Sequence, residues 1–438
     1  IADAKYLALR DIRIFNNIIT NEDIRQLYRA PQLRKAETAS SNLREDYYFS
    51  QIAEAGVDIL SQSRKLRGEL AIIDRRSTIT LIMEEKADSI AEAYILNRGE
   101  YDQPGEKVAA GVPSVFSSLP TEQIADRLAL ANWLVDPAHP LTARVTVNRF
   151  WQELFGTGLV ETAEDFGSQG SPPSHPELLD WLATEFIESD WDIKQLFKLM
   201  VMSATYRQES IVSEQLREVD PNNRLLARGP RYRLDAEVIR DQALQLSGLL
   251  VNRVGGPPVK PYQPDGIWRA VGYSTSNTVQ FSQDHGEDLY RKSLYTFQKR
   301  TAAPPSMAVF DAASRQSHAV RRSITNTPMQ ALVLLNDPQY VEAARNLAQR
   351  VLLAETGNRF AYLLENTLLR EPDQEMIAIL ENTYADVNES YRNDPEAAAA
   401  LLRVGESDWD QQLDEAELAT WTILASQILS LDELITKH

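Results

Sequence analysis

The sequence predicts a mainly α-helical protein with minor β structure. Two observations carry this. From Glu122 onward, apolar residues recur at spacings of three and four, as on one face of a helix. Strict alternation is confined to a few short runs, each bounded by turn residues.

The first such run, Tyr6-Leu-Ala-Leu-Arg-Asp-Ile-Arg-Ile-Phe15, reads as a strand, and Thr20 to Tyr28 reads as a short helix after a polar cap. One strand leaves its ladder unpaired, so residues 1–30 are expected to complete a sheet whose other strands lie elsewhere. Residues 31–77 follow as a helical arm. In it Ile52, Gly56, Ile59, Ser63, Leu66, Leu70 and Ile73 form the seam of a coiled or hairpin helix.

Short strands are expected over Thr78–Met83 and Glu92–Asn97, before a turn at Tyr101-Asp-Gln-Pro-Gly105. Helices are expected over 124–134, 141–155, 178–188, 193–206, 236–250, 329–353, 359–369, 374–388 and 415–429. Ser174-His-Pro-Glu177 has the form of a capping box, with Ser174 as cap and Glu177 reaching back. Asn326 or Thr327 is the expected cap ahead of Pro328. Gly255-Gly-Pro-Pro258 marks a bend, and the alternation of Arg291 to Arg300 places one more strand after it.

Composition narrows the function. The chain has 438 residues, 43% hydrophobic and 25% charged, enough to bury a real core in two or three units. Its net charge of -18 argues against nucleic acid or an anionic membrane as partner. No run approaches the roughly 20 apolar residues that span a bilayer. The opening at Ile1 suggests a processed or trimmed chain. Without cysteine there is no disulfide, thiolate metal site or covalent haem attachment. The five histidines show no zinc-binding spacing, so no metal is expected.

Charge is distributed unevenly. Residues 365–438 hold 17 acidic and four basic side chains, whereas 291–350 hold nine basic and three acidic. Within the basic stretch, Arg300, Arg315, Arg321 and Arg322 accompany Asp311 and His318. Guanidinium forks beside a carboxylate and an imidazole suit a carboxylated or sulfated ligand; Asp311 and His318 are then the candidate catalytic pair. The competing reading is an internal ion-pair network with the acidic tail. A second cluster, Arg144, Asn148, Arg149, Asp165 and His175, either satisfies buried backbone or lines a pocket, with Asn148 and Arg149 as its binding candidates. Trp133, Trp151, Trp181 and Trp191 read as core, and Trp268 and Tyr273 as loop anchors or a sugar platform.

Several of these stretches carry a resemblance. Leu96 to Val108, Leu141-Thr-Ala-Arg-Val-Thr-Val-Asn-Arg-Phe-Trp151, Phe155-Gly-Thr-Gly-Leu-Val160, Pro173 to Ala183, Glu237-Val-Ile-Arg-Asp241, Arg291 to Arg300 and Arg321 to Asp337 together resemble the planctomycete surface domain family. The likeness spans about residues 78–438. It implies the C-terminal domain of an exported, extracytoplasmic polypeptide that often carries a cytochrome-c-like module, so haem c is expected upstream or on a partner chain, with no cofactor in this chain. Residues 1–30 resemble the end of a laminin-G-like β-sandwich. Similar sequences often carry Cys where this one has His318.

The function these readings favour is a structural and interaction module that positions haem-bearing or glycan-binding neighbours, through the arm or the acidic tail. The alternatives are an enzyme acting on an anionic polysaccharide or organic acid through Asp311, and an electron-transfer subunit.

Overall fold

The computed structural model describes residues 54–77, 80–84, 92–116 and 126–437, and is mainly α-helical with two small two-stranded sheets. The expected strand and helix of residues 1–30 lie outside the described residues. The chain divides into two compact units, one ending at Ala109 and one beginning at Ala110.

The first unit contains helix α1 (Glu54–Arg76) and a hairpin of β1 (Ala93–Leu96) and β2 (Pro104–Val108). The expected strand at 78–83 does not form over its described part, since residues 80–83 are irregular. The hairpin is antiparallel, with Ala93 opposite Val108. Left-handed Arg98 and Gly99, at φ 55° and 76°, open the turn between its strands. The predicted seam of α1 is exposed, Ile59, Leu66, Leu70 and Ile73 at 58–66%, and among its described residues none is buried.

The second unit begins with α2 (Arg127–Leu134), α3 (Thr142–Phe155), α4 (Pro176–Glu188), α5 (Ile193–Met202) and α6 (Glu214–Val219). Val147, Trp151, Leu182, Phe186, Leu196 and Met200 from α3, α4 and α5 make a core of their own, with Trp151 stacked on Phe155 at 3.9 Å. The capping box at Ser174 does not form. Pro176 takes the first helical position, His175 becomes the cap, and the Ser174 N–H donates to the Leu159 carbonyl.

Strand β3 (Tyr232–Arg233) then leads into α7 (Ala236–Ser247), and α8 (Ile267–Val271) and α9 (Pro305–Val309) punctuate a long irregular stretch. The strand expected at Arg291–Arg300 is replaced by a 3-10 turn at Ser293–Tyr295 and single bridges to Val251 and Val259. No ladder develops there, and the Arg291 side chain turns inward to bond backbone carbonyls. The helix expected over 329–353 is two helices, α10 (Pro328–Asn336) and α11 (Pro338–Leu353). Pro338 disfavours the helical region for Asp337, which takes φ -68° and ψ 131° and caps α11 through Gln339 N–H.

Helices α12 (Arg359–Leu368), α13 (Gln374–Asn393), α14 (Pro395–Leu402), α15 (Glu415–Leu429) and α16 (Asp432–Ile435) complete the unit, and β4 (Thr436–Lys437) pairs with β3. The main core gathers α7 and α11 to α15. Ala343, Ala344, Ala348, Ala419 and Ala425 are fully buried, and such small side chains let the backbones of α11 and α15 approach closely. Leu418, Trp421, Leu424 and Ile428 bury several sides of α15, so truncating Leu424 to Ala would cost about 2–5 kcal/mol. The acidic tail is therefore a structural component. Asp373, Asp394 and Asp414 cap α13, α14 and α15, and Glu415 and Glu417 sit in a first turn where the helix dipole favours them.

Candidate functional site

The cationic segment is built around a loop, residues 312–324, whose two ends meet. Asp311 follows the cap of α9 in a left-handed conformation, φ 60°, and its carboxylate accepts from Thr325 N–H at 2.8 Å and Thr325 Oγ1 at 2.9 Å. Arg233 Nη2 approaches the same carboxylate at 2.6 Å, with both side chains largely buried. Gln330 completes the base by donating to the Val309 and Thr325 carbonyls while its oxygen closes a capping box with Thr327. Of the two caps the sequence offered, Asn326 and Thr327, it is Thr327 that caps α10.

Two arginines pin the loop's far limb. Arg322 makes a forked pair with Glu237 at 2.6 and 3.1 Å, with Asp235 at 3.5 Å, and Arg321 meets Glu164 at 3.0 Å. Burial pushes the Glu237 carboxyl up, but the Arg322 hydrogen bond and the nearby Arg315 outweigh it and hold the group below its usual range. Arg322 is correspondingly raised. These partners belong to α7 and to the loop after α3, not to the acidic tail. Arg300, Arg315 and His318 are exposed, and Gln316 ties the loop to the Arg300 carbonyl at 2.8 Å.

The second cluster disperses. Asn148 is fully buried and exchanges two hydrogen bonds with the Val160 backbone, at 2.8 and 3.0 Å. Arg149 is exposed, Arg144 pairs with Asp180, Asp165 closes a turn onto Gly167 N–H, and His175 contacts Ser174. Beside it lies a cavity of about 160 Å³ lined by Trp151, Phe155, Asn223, Arg224, Tyr232 and Ile324 among others. Two of its polar residues are engaged elsewhere: Arg224 donates to the Gly158 and Leu159 carbonyls, and Asn223 bonds the Arg228 backbone. Tyr232 donates to the Glu153 carbonyl at 2.5 Å, and burial raises its phenol well above the usual range. Burial, with Asp235, also raises the Glu153 carboxyl.

Residues that sequence reasoning missed hold the irregular stretch in place. Arg240 is buried on α7 and donates to the Leu289 and Arg291 carbonyls and to Gln339. Arg291 lies against the Tyr295 ring at 3.9 Å and donates to the Arg253, Gly255 and Pro257 carbonyls. Arg345 secures the Leu402, Val404 and Ser407 carbonyls, next to buried Glu342, which accepts from Tyr290 and from the Glu406 and Ser407 N–H groups. A usable signal existed in Arg345, which shares the apolar face of Val341, Ala344, Ala348 and Leu352.

Fold and site define a class: a helical domain whose irregular loops are fastened by arginine forks around a clamped cationic loop. The chain belongs to the PSD1 family, described as a protein of unknown function (DUF1553), whose profile matches residues 126–384. No curated protein and no solved structure matches it. Among the described residues no cluster of His, Asp or Glu is arranged to hold a metal ion, and no helix is long and apolar enough to cross a membrane. A chain without cysteine has no thioether anchor for haem c.

Proposed function

We propose that this chain is a structural and interaction module of an exported, multidomain, cytochrome-c-associated protein, and that it positions haem-bearing or glycan-binding neighbours. The observation that carries the reading is the seam of α1, whose Ile59, Leu66, Leu70 and Ile73 stay 58–66% exposed at coiled-coil spacing. A helix with such a face gains most of its stability from a partner that covers it. The site chemistry points the same way. The Asp311 carboxylate is taken up by Arg233 and Thr325, which suits a clamp better than proton transfer. The acidic tail builds the core, so the arm is the contact surface.

The test is co-purification from the native source, with visible spectra recorded before and after dithionite. Wild-type chain is expected to bring down a partner with a haem band that shifts on reduction. A Leu66→Glu, Leu70→Glu variant is expected to lose that partner while the second unit melts as before. A flat spectrum, with the same associated proteins in variant and wild type, would overturn the proposal.

A further inference from the structure

The second unit carries a separate interaction surface. It rests on the interaction-module reading and names the class of partner. Segment 291–350 is basic in sequence, and folding sharpens this. Its three acids turn inward: Asp311 binds Arg233, Asp337 caps α11, and Glu342 is fully buried. Every exposed charge of the segment is therefore positive, on a chain whose net charge is -18.

Helix α10, whose Gln330 bonds the base of the 312–324 loop, presents an apolar face. Helix α10 buries Gln330 and Leu334 and turns Met329, Leu332 and Leu335 to solvent, at 54, 52 and 44% exposure. Ile324, at 57%, adds an exposed apolar side chain to the loop itself. Arg315 lies within the loop that precedes α10, and Arg300, whose carbonyl accepts from Gln316 of that loop, adds a second exposed guanidinium. The loop is held at its base by Asp311 and Thr325 and along its limb by Arg321 and Arg322, so the surface is preorganised.

We infer that α10 and the 312–324 loop form a docking face for an acidic, amphipathic helical segment of a partner polypeptide. Charge complementarity selects an anionic partner, and the Met/Leu stripe selects one with apolar side chains of its own. An anionic polysaccharide would use the arginines but leave the stripe uncovered.

The experiment titrates the full-length chain into two fluorescein-labelled peptides at low and moderate salt, reading anisotropy. One peptide has Leu at core heptad positions and Glu elsewhere; the other replaces each Leu with Ser. The Leu/Glu peptide is expected to bind at least ~10-fold more tightly, since one factor of ten reports the apolar contribution. Leu332→Glu is expected to remove that preference. Arg300→Glu with Arg315→Glu is expected to weaken both peptides, with circular dichroism unchanged in each variant. Equal affinity for the two peptides, or their displacement by a sulfated oligosaccharide without effect from Leu332→Glu, would overturn the inference in favour of a glycan. Sedimentation showing self-association that Leu332→Glu abolishes would reassign the face to a second copy. A negative peptide result leaves the arm-dependent co-purification intact, so the two proposals fail separately.

Discussion

Replacing Asp311 with Ala should open the cationic loop. The substitution removes an ion pair at 2.6 Å and two hydrogen bonds from Thr325, at 2.8 and 2.9 Å. It also strands Arg233, whose Nε and Nη1 already have no protein partner and whose Nη2 would keep only a 3.4 Å contact to the Phe310 carbonyl. Breaking a fully buried pair costs about 3–5 kcal/mol. Here the side chains retain 10% and 17% exposure, which lowers the expectation to roughly 2–4 kcal/mol. The left-handed backbone adds a smaller penalty for Ala, which Asp311→Gly separates from the loss of the carboxylate. Asp311→Asn keeps the shape and one acceptor and should cost about half as much. Two assays read the effect. Urea denaturation reports the global cost, and limited trypsin digestion reports local opening, because Arg315, Arg321 and Arg322 all lie in the loop. The expected order of cleavage is Asp311→Ala above Asp311→Asn above wild type. If Asp311→Ala matches wild type in both assays, the clamp does not exist as described.

Three further outcomes follow from the same structure. Gly405 has φ 89°, and a Cβ there would overlap the Glu342 side chain, so Gly405→Ala should lower stability by roughly 2–4 kcal/mol in urea; an unchanged midpoint would show that the Glu342 pocket yields freely. Glu237 titrates below its usual value of 4.5, so its pairing with Arg322 contributes stability above that pH and loses it as pH falls through the depressed value. Trypsin cleavage after brief exposure to acid should therefore rise below about pH 4.5 in wild type, and Arg322→Met should flatten that rise. Arg240→Met should destabilise by about 3 kcal/mol or more, since the Leu289 and Arg291 carbonyls lose a buried donor; a gain in stability would mean hydrophobic filling outweighs the fork.

The helices were the legible part, because their signals are local. Glu415–Leu429 is read correctly at both ends: Asp414 caps it, and apolar residues fill several of its faces. The split at Pro338 was visible in the residue itself, yet the apolar period of Met329 to Leu353 runs across it unbroken. Residues 250–326 were not legible. Their conformation is set by donors far away in sequence, such as Arg240 to the Leu289 carbonyl, 49 positions on. The same distance hid the partners of Arg321 and Arg322. The acidic tail offered an excess of carboxylates, but Glu164 and Glu237 lie 157 and 85 positions away and no local pattern marks them.

Arginine is the residue that such a stretch requires. Irregular backbone leaves carbonyls that no ladder satisfies, and a buried unsatisfied carbonyl is costly. One guanidinium offers five donors in a fixed plane, enough to answer two or three carbonyls at once. Arg291 does so for Arg253, Gly255 and Pro257, and Arg345 for Leu402, Val404 and Ser407. A hydrophobic residue of similar size would fill the space but leave the loop path undetermined. Backbone fastened this way is held to one path, as the proposed recognition surface needs. A closing lid would need few such bonds, and loop 312–324 is tied at its base by Asp311 and along its limb by Arg321 and Arg322. The fastening thus favours a surface that meets its partner preformed over a gate that moves around a substrate.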